Sequence, residues 1–300
     1  MTDERSARHD PTSRPLPRSA HSGATSYKNA STKSVSVGGT QFVYRELGVE
    51  TGIPVIFFNH LAANLDSWDP RVVDGIAAKH HVITFDNRGV GASQGKTPDT
   101  VEAMAQDAVA FIRALGFDQV DLLGFSLGGF VSQVVAQREP ALPRKIILAG
   151  TGPAGGAGIV NVTRLSYLDN LMALATRKNP EELLFFTRTT NGKSEAKAFV
   201  NRLKERTDDR DKAIAGRAFR TQLKAIHAWG LAQPTDLARI QHPVLVANGD
   251  DDRMVPTINS YDLARRLPDA MLRIYPDAGH GGIFQFHDRF VRDALEFLES

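Results

Sequence analysis

The sequence predicts an α/β fold in which helices flank an eight-stranded, mostly parallel sheet. Two observations carry this prediction: short, continuously apolar runs recur along the chain, and helical patterns lie between most of them. The alternation stops at about residues 153–235, where helical patterns follow one another without a strand. We interpret this region as an inserted helical cap over the carboxyl edge of the sheet, the edge at which open α/β sheets bind ligands.

The chain accordingly divides into four predicted parts. Residues 1–33 are expected to be a disordered tail, because they are rich in Ser, Pro and Arg and nearly free of large apolar side chains. The first part of the α/β core spans residues 34–152, the cap residues 153–235, and the second part of the core residues 236–300.

Composition narrows the class of protein. The formal net charge is only +2 and 42% of positions are hydrophobic, which does not favour a nucleic-acid partner. The apolar runs are strand-sized, so we expect no membrane span. The sequence contains no cysteine, which excludes disulfides, a thiolate nucleophile and cysteine-based metal sites and fits a cytoplasmic protein. The expected partner is a small-molecule substrate, and nothing in the sequence indicates the oligomeric state.

The strands begin with a hairpin. "SVSVGGTQFVYREL" alternates apolar and polar residues on either side of Gly38 and Gly39, which is typical of two strands joined by a tight turn. Six apolar runs follow that suit strands covered on both faces. They are PVIFFN (54–59), HVITFD (81–86), VDLLGF (120–125), KIILAG (145–150), PVLVAN (243–248) and MLRIYP (271–276).

The clearest helical pattern is "TPDTVEAMAQDAVAFIRALG" (97–116). Asp99 and Glu102 resemble a capping box at its start, and Gly116 ends it. Within the cap, the last of four helical patterns covers residues 209–230.

"VDLLGFSLGGF" supplies a candidate nucleophile. Gly124, Ser126 and Gly128 form a G-x-S-x-G pattern directly after an apolar strand and directly before a helical pattern, which is the context of a nucleophile elbow. Small residues on both sides allow the tight turn that exposes the serine hydroxyl. The amide of Leu127 then lies at a helix N-terminus, where backbone N–H groups favour negative charge.

With these motifs in order, the chain over about residues 35–298 resembles an α/β-hydrolase with a helical cap. "TFDNRGVGAS" (84–93) is similar to the D-x-R-G-x-G-x-S segment of that family, and "DAGH" (277–280) is similar to its histidine segment. The resemblance implies the chain order nucleophile, acid, histidine. It also implies that Asp86 and Arg88 form an ion pair and turn that brace neighbouring loops.

A serine hydroxyl needs a base, and His280 is the best candidate because it follows the last strand at the carboxyl edge of the sheet. In the resembling family the acid follows the sixth or the seventh strand. "AGTGPAGGAGIV" after the sixth contains no carboxylate, so the search passes to "NGDDDRMVP" after the seventh. The resemblance assigns the acid to Asp252, while Asp250 is expected to cap the turn and Asp251 to be solvated. A metal site is the lesser interpretation, because adjacent side chains diverge and lack calcium-loop spacing.

The oxyanion hole is expected to use the backbone N–H groups of Leu127 and Ala62. The resemblance places the second donor in "FFNHLAANLDSW", where His60 stands at the family's histidine but Leu61 replaces its glycine. Glycine tolerates backbone conformations that leucine does not, so the geometry of this loop is expected to differ. We interpret His60 as a structural residue.

These residues predict a serine hydrolase that cleaves a small carboxylic ester through an acyl-enzyme, without a cofactor or metal. The motifs resemble the esterase and cofactor-free haloperoxidase group, and leave a perhydrolase or a carbon-carbon bond hydrolase open. A ligand-sensing protein with the same fold is the alternative of another class. Phe125, Met254 and Trp229 are candidate substrate-binding residues.

Overall fold

The computed structural model describes residues 26–300. The predicted disordered tail therefore lies outside the described residues over positions 1–25. Its predicted end at residue 33 is wrong, because Tyr27 and Ala30 are buried and the Tyr27 hydroxyl donates to the carbonyl oxygen of Leu65. Arg206 also donates to the carbonyl oxygens of Lys28 and Ala30, so this segment is bound to the rest of the protein although its composition is that of a tail.

Eight strands form one sheet, as predicted. They are β1 (Lys33–Val37), β2 (Thr40–Leu47), β3 (Val55–Phe58), β4 (Val82–Phe85), β5 (Val120–Phe125), β6 (Pro143–Ala149), β7 (Val244–Gly249) and β8 (Ala270–Tyr275). Their order is β1-β2-β4-β3-β5-β6-β7-β8. The pairs β1–β2 and β2–β4 are antiparallel and the other pairs are parallel. The carboxyl ends of β3 to β8 therefore meet at one edge of the sheet.

Helices cover both faces of the sheet and fill the region between β6 and β7. They are α1 (Pro70–Ala77), α2 (Val101–Ala114), α3 (Leu127–Arg138), α4 (Val162–Thr176), α5 (Pro180–Phe185), α6 (Thr190–Leu203), α7 (Gly216–Leu231), α8 (Ile258–Arg266), α9 (Gly282–Gln285) and α10 (His287–Glu299). No helix in the part of the chain that the structure describes is long and apolar enough to cross a membrane.

Two hydrophobic cores explain why the central strands are apolar throughout. Ile56 and Phe58 of β3 point into a core shared with α2, α3 and α8, while Val55 and Phe57 point into a core shared with α1 and α10. Successive side chains of a strand face opposite sides of a sheet, so a strand covered on both faces must be apolar at every position. The apolar runs therefore identified these strands correctly.

Helix α2 lies where the sequence predicted a helix, but its N-cap residue is not the predicted one. The N-cap residue is Thr100, whose side chain accepts from the Ala103 N–H, whereas Asp99 pairs with Lys224 of α7. The predicted capping box is therefore wrong, because a cation on another element binds the Asp99 carboxylate. At the other end Gly116 has a φ of +86°, which suits the residue that follows a helix.

The helices α4 to α7 lie between β6 and β7, and we call residues 162–231 the α4–α7 segment. Helix α7 begins at Gly216, later than the pattern over residues 209–230 predicted. The residues before Gly216 form hydrogen bonds with another part of the chain. The Asp211 N–H, for example, donates to Asp66 Oδ2 at 2.8 Å. These hydrogen bonds to the β3–α1 connection replace those of a helix.

Candidate active site

Ser126 lies on a strained turn between β5 and α3, as the G-x-S-x-G pattern predicts. Its φ of +54° and ψ of −114° are unusual for a residue with a side chain. The flanking glycines leave room for this turn, since a Cβ on Gly124 would lie 2.4 Å from the Gly128 carbonyl oxygen and one on Gly128 would lie 2.0 Å from the Phe58 carbonyl oxygen. Only glycine fits at these two positions.

Asp252 and His280 form a buried pair. His280 Nδ1 lies 2.7 Å from Asp252 Oδ2, and both side chains are almost completely shielded from solvent. An ionised carboxylate can only accept, so Nδ1 carries the proton and Nε2 is left with its lone pair. That tautomer is the one a general base needs.

The loop after β7 holds Asp252 in place. The second carboxylate oxygen, Oδ1, accepts from the N–H groups of Met254 at 2.8 Å and Val255 at 3.0 Å. The neighbouring Asp250 accepts from the Ala278 N–H at 3.2 Å, and the Asp251 N–H donates to the Ala278 carbonyl oxygen at 2.9 Å. The loop that carries the acid is thus bonded to the loop that carries the histidine.

The three aspartates have different surroundings, as the sequence suggested. Asp252 is buried, whereas Asp250 and Asp251 are exposed. Within residues 26–300, no group of three or more histidine, aspartate or glutamate side chains is placed to hold a metal ion. The following residue, Arg253, donates to Asp169 of α4 and to the Leu183 carbonyl oxygen of α5, which ties the acid loop to the α4–α7 segment.

Ser126 and His280 line one cavity of about 380 Å³. The sheet edge supplies part of the lining through Ser126, His280 and the loop after β3, and the α4–α7 segment supplies another part. Met254 lies in the wall of this cavity, where the sequence placed a substrate-binding residue.

Phe125 and Trp229 lie elsewhere, so their prediction as substrate-binding residues is wrong. Phe125 ends β5 beneath the site, fully buried, with its ring 5.0 Å from that of His280. Trp229 stacks on Phe130 with ring centroids 5.3 Å apart, and its indole N–H donates to the Gly152 carbonyl oxygen. Both are packing residues, which periodicity alone could not separate from residues that line a cavity.

The two predicted oxyanion donors differ in their surroundings. The Leu127 N–H belongs to the first turn of α3, where it has no acceptor within the helix. The Ala62 N–H donates to Oε1 of Gln222, a fully buried residue of α7, at 2.8 Å. Ala62 is the residue of this loop that has a positive φ, +52°. The glycine of the family pattern would stand one residue earlier, at the position of Leu61. In this structure the Ala62 amide is bound by a side chain.

His60 lines the cavity as a neutral ring. Its Nδ1 lies 2.9 Å from the Leu61 carbonyl oxygen, so this nitrogen donates and Nε2 carries the lone pair. Burial, with a smaller contribution from the nearby His280, lowers the pKa of His60 to about 3, although the contact with the Leu61 carbonyl oxygen opposes the shift. Within the described residues, the buried Nε2 has no hydrogen-bond partner. A neutral imidazole beside His280 does not oppose the charge that His280 would gain as a base.

Asp86 and Arg88 do not pair with each other, which corrects one expectation. Arg88 forms a two-bond ion pair with Asp107 of α2 at 2.6 and 2.8 Å. Asp86 accepts from the N–H groups of Leu65 and Ala92 at 2.9 and 3.1 Å, so it does join the loops after β3 and β4. Burial first, and then the neighbouring Asp211 carboxylate, raise the pKa of Asp86 well above its usual range.

Several polar residues of the site were not found from the sequence. They lie on the α4–α7 segment and are Ser166, Asn170, Asn179, Glu181 and Gln222. Helical periodicity shows which face of a helix is apolar, but it does not show which polar residue on that face meets a cavity. No motif marks any of them.

Known proteins share this architecture. A family profile described as "alpha/beta hydrolase fold" matches residues 53–286. A solved structure, an alpha/beta hydrolase fold protein from Chitinophaga pinensis, is 42% identical, has a TM-score of 0.87, and covers 92% of this chain and 100% of its own.

Curated relatives are more distant. The chain is 31% identical over 249 residues to a poly(3-hydroxyalkanoate) depolymerase from Ectopseudomonas oleovorans, covering 82% of this chain and 84% of the relative. It is 26% identical over 282 residues to a non-heme chloroperoxidase from Streptomyces lividans, covering 87% and 97%. The matched fold, the elbow at Ser126 and these similarities together show that the chain belongs to the α/β-hydrolase family.

Proposed function

We propose that this protein is a serine hydrolase that cleaves a small carboxylic ester through an acyl-enzyme. The observation that carries the proposal is the 2.7 Å contact between His280 Nδ1 and Asp252 Oδ2 at a cavity that Ser126 also lines. Because Nδ1 carries the proton in this contact, the unprotonated Nε2 of His280 lies on the opposite side of the ring. A nucleophile, a base and a group that orients the base are the three parts that acyl transfer to serine requires.

The proposed reaction has two halves. The Ser126 hydroxyl attacks the ester carbonyl carbon while His280 takes its proton, and the protonated ring then passes that proton to the departing alcohol. Water attacks the acyl-enzyme in the same way and releases the acid and free Ser126. Asp252 stabilises the imidazolium that forms in each half, and its two backbone hydrogen bonds keep its carboxylate facing His280.

The tetrahedral intermediate carries an oxyanion that needs fixed donors. The Leu127 N–H at the start of α3 is the first donor, and the positive end of the helix adds to its effect. The Ala62 N–H is the second, and it becomes available when it exchanges Gln222 for the substrate oxygen. One such donor contributes about a hundredfold or more to kcat. We propose that the α4–α7 segment acts as the cap that closes this cavity from water.

Turnover tests the proposal directly. Short-chain p-nitrophenyl esters should be hydrolysed with multiple turnovers, and Ser126→Ala should abolish the activity while its thermal unfolding stays cooperative. A fluorophosphonate probe should label the protein at Ser126, as shown by mass spectrometry of the digested protein. Absence of labelling together with absence of turnover would overturn the hydrolase and favour a ligand-sensing protein with the same fold.

Peracid formation is a second candidate activity, favoured by the similarity to a chloroperoxidase. Hydrogen peroxide would replace water as the attacking group, so an acyl-enzyme from an organic acid would release a peracid. The test is oxidation of bromide, followed with monochlorodimedone, in the presence of hydrogen peroxide and acetate. Ser126→Ala should abolish this activity too, and bromide oxidation that is independent of acetate would exclude the peracid route.

A further inference from the structure

The wall of the cavity that faces Ser126 is polar where it meets α4 and α5. Ser166 and Asn170 of α4 and Asn179 and Glu181 at the start of α5 all line it. The catalytic candidates lie on the sheet edge, whereas these residues belong to the α4–α7 part of the lining. Apolar side chains such as Leu184, Phe219 and Val255 line the space as well.

Ser166 carries the strongest sign that this wall binds a ligand. Its side chain is fully buried, and its Oγ has no hydrogen-bond partner within residues 26–300. A buried hydroxyl without a partner costs about 1–3 kcal/mol, so such groups are normally satisfied by water or a bound molecule. Ser166 belongs to the residues that line the cavity, so a bound molecule that draws its side chain towards this space would satisfy the hydroxyl.

Asn170 supplies a hydrogen-bond acceptor at this wall, and Asn179 binds the residue that carries a carboxyl group there. The Asn170 side-chain amide donates to the Ser166 carbonyl oxygen at 2.7 Å, which leaves Asn170 Oδ1 as an acceptor. Asn179 Oδ1 accepts from the Glu181 N–H at 2.9 Å, and the Asn179 side chain also binds the Glu181 carboxyl group. These contacts fix Glu181 against the cavity.

Charge at this wall favours one kind of ligand. None of the described residues that line the cavity is a lysine or an arginine, whereas Glu181 is a carboxyl group. The Glu181 side chain is partly buried, and this burial raises its pKa to about 7 although the contact with Asn179 opposes the shift. A carboxylate or phosphate on a ligand would therefore meet no lysine or arginine at this wall, and the Glu181 carboxyl group would repel it when ionised.

Resting on the ester hydrolysis proposed above, we infer that Ser166, Asn170 and Glu181 bind a hydrogen-bond-donating group of the substrate, a hydroxyl or an ammonium, at the end remote from the scissile carbonyl. The substrate class is thus an ester of a hydroxy- or amino-substituted acid. Glu181 and Asn170 accept from this group, and the Ser166 hydroxyl completes its shell.

Matched esters test this specificity. We would compare p-nitrophenyl esters of hexanoic, heptanoic and octanoic acid that end in a methyl, a hydroxyl, an ammonium or a carboxylate group. The hydroxyl or the ammonium ester should exceed the methyl ester in kcat/KM by about tenfold at one chain length, because a buried acceptor discriminates strongly for a donor. The carboxylate ester should be the poorest substrate.

Variants of the residues at this wall test whether these residues cause the preference for a hydroxyl or an ammonium group. Glu181→Gln should reduce the ammonium preference by about tenfold, and Ser166→Ala should reduce the hydroxyl preference. Glu182→Gln is the matched control on the next residue, since glutamine keeps the hydrogen bond from the Asn179 N–H, and it should keep the wild-type ratios. A wild-type preference for methyl or carboxylate ends at every chain length, or ratios unchanged in both variants, would overturn the inference.

Binding separates this inference from the proposed chemistry. Methyl esters of the same acids would be titrated by calorimetry into Ser126→Ala, which retains the cavity but cannot form an acyl-enzyme. Tighter binding of the amino or hydroxy ester than of the plain ester supports the polar wall even if no ester is turned over by the wild type. Equal binding of all three overturns it even if hydrolysis is established.

Discussion

The backbone N–H of Ala62 donates to the side chain of Gln222 across 160 positions of sequence, at 2.8 Å. The amide belongs to the loop after β3 and the acceptor to α7, so the contact joins the sheet edge to the α4–α7 segment. Gln222 is fully buried, and within the described residues its Nε2 has no hydrogen-bond partner. The Gln222 side chain therefore occupies the proposed oxyanion donor, while its own Nε2 stays without a partner among the described residues.

Gln222→Leu should raise kcat for a p-nitrophenyl ester by about tenfold, because leucine has no acceptor and leaves the Ala62 N–H to the oxyanion. Steady-state kinetics with a thermal melt measures the effect. Gln222→Glu is the control, since it keeps an acceptor on Ala62 and should not show the rise. A fall in kcat for Gln222→Leu with an unchanged melting temperature would contradict this account and indicate that Gln222 holds the loop in its active form.

Asp252→Asn should lower kcat by about three orders of magnitude. An asparagine amide can present a donor to His280 Nδ1, which favours the wrong tautomer of the base while leaving the packing intact. Asp251→Asn is the matched control on the exposed neighbour and should have wild-type kinetics. Equal losses in both variants would show that the loop, and not the carboxylate of Asp252, matters.

Gly128→Ala should lower the free energy of unfolding by at least about 3 kcal/mol, since its Cβ would lie 2.0 Å from a backbone oxygen of β3 that cannot move aside. Urea titration followed by circular dichroism measures the change. Gly216→Ala is the control: there the nearest atom to the new Cβ is Arg220 Nη1 at 3.6 Å, an ordinary contact. Its stability should lie within about 1 kcal/mol of wild type. A stable Gly128→Ala protein would exclude the close approach.

Glu46 should make stability depend on pH in the acid range. A hydrogen bond from His81, and then the contact with Lys33, lower the pKa of Glu46 from 4.5 to about 2. Because the folded-state pKa is the lower one, the stabilisation is complete above about 4.5 and is lost as the pH falls towards about 2.

Urea unfolding of wild type and Glu46→Gln tests this dependence. The wild type should be more stable at neutral pH by on the order of 1–2 kcal/mol, and the difference should shrink as the pH falls through the window given above. Glu50→Gln, at an exposed glutamate nearby, is the control and should give no such pH-dependent difference. A difference for Glu46→Gln that stays constant with pH would contradict the assignment to ionisation.

The sheet was predictable because its signal is local. Every apolar run overlaps a strand of the structure, and Gly38 and Gly39, both with positive φ, form the turn of the first hairpin. The elbow at Ser126 and the position of His280 follow from the same local order of strand, loop and helix. Because no carboxylate follows β6 directly, the sequence predicted the acid in the loop after β7, where Asp252 contacts His280.

What could not be predicted depends on contacts between distant elements. The Ala62 loop, the partner of Arg88 and the neighbours of Trp229 each depend on how one helix packs against another part of the chain. Asp99 resembled a helix N-cap residue because nothing in the local sequence reveals Lys224. Glu181 resembled any surface glutamate of an amphipathic helix, since its contact with the cavity arises only from the packing of α5 over the sheet.

The hydrogen bonds between the acid loop and the histidine loop have a consequence for how such a protein can diversify. Asp252 and His280 lie together on the carboxyl side of the α4–α7 segment in the chain, and Asp250 and Asp251 tie their loops to each other through Ala278. The proposed acid and base therefore follow two adjacent strands, β7 and β8, and lie on the same side of the inserted helices in the chain. Recombination or drift could replace the intervening helices and change what enters the cavity, provided that the new helices keep the contacts that Asp169 makes with Arg253 and Phe185 makes with Gly281.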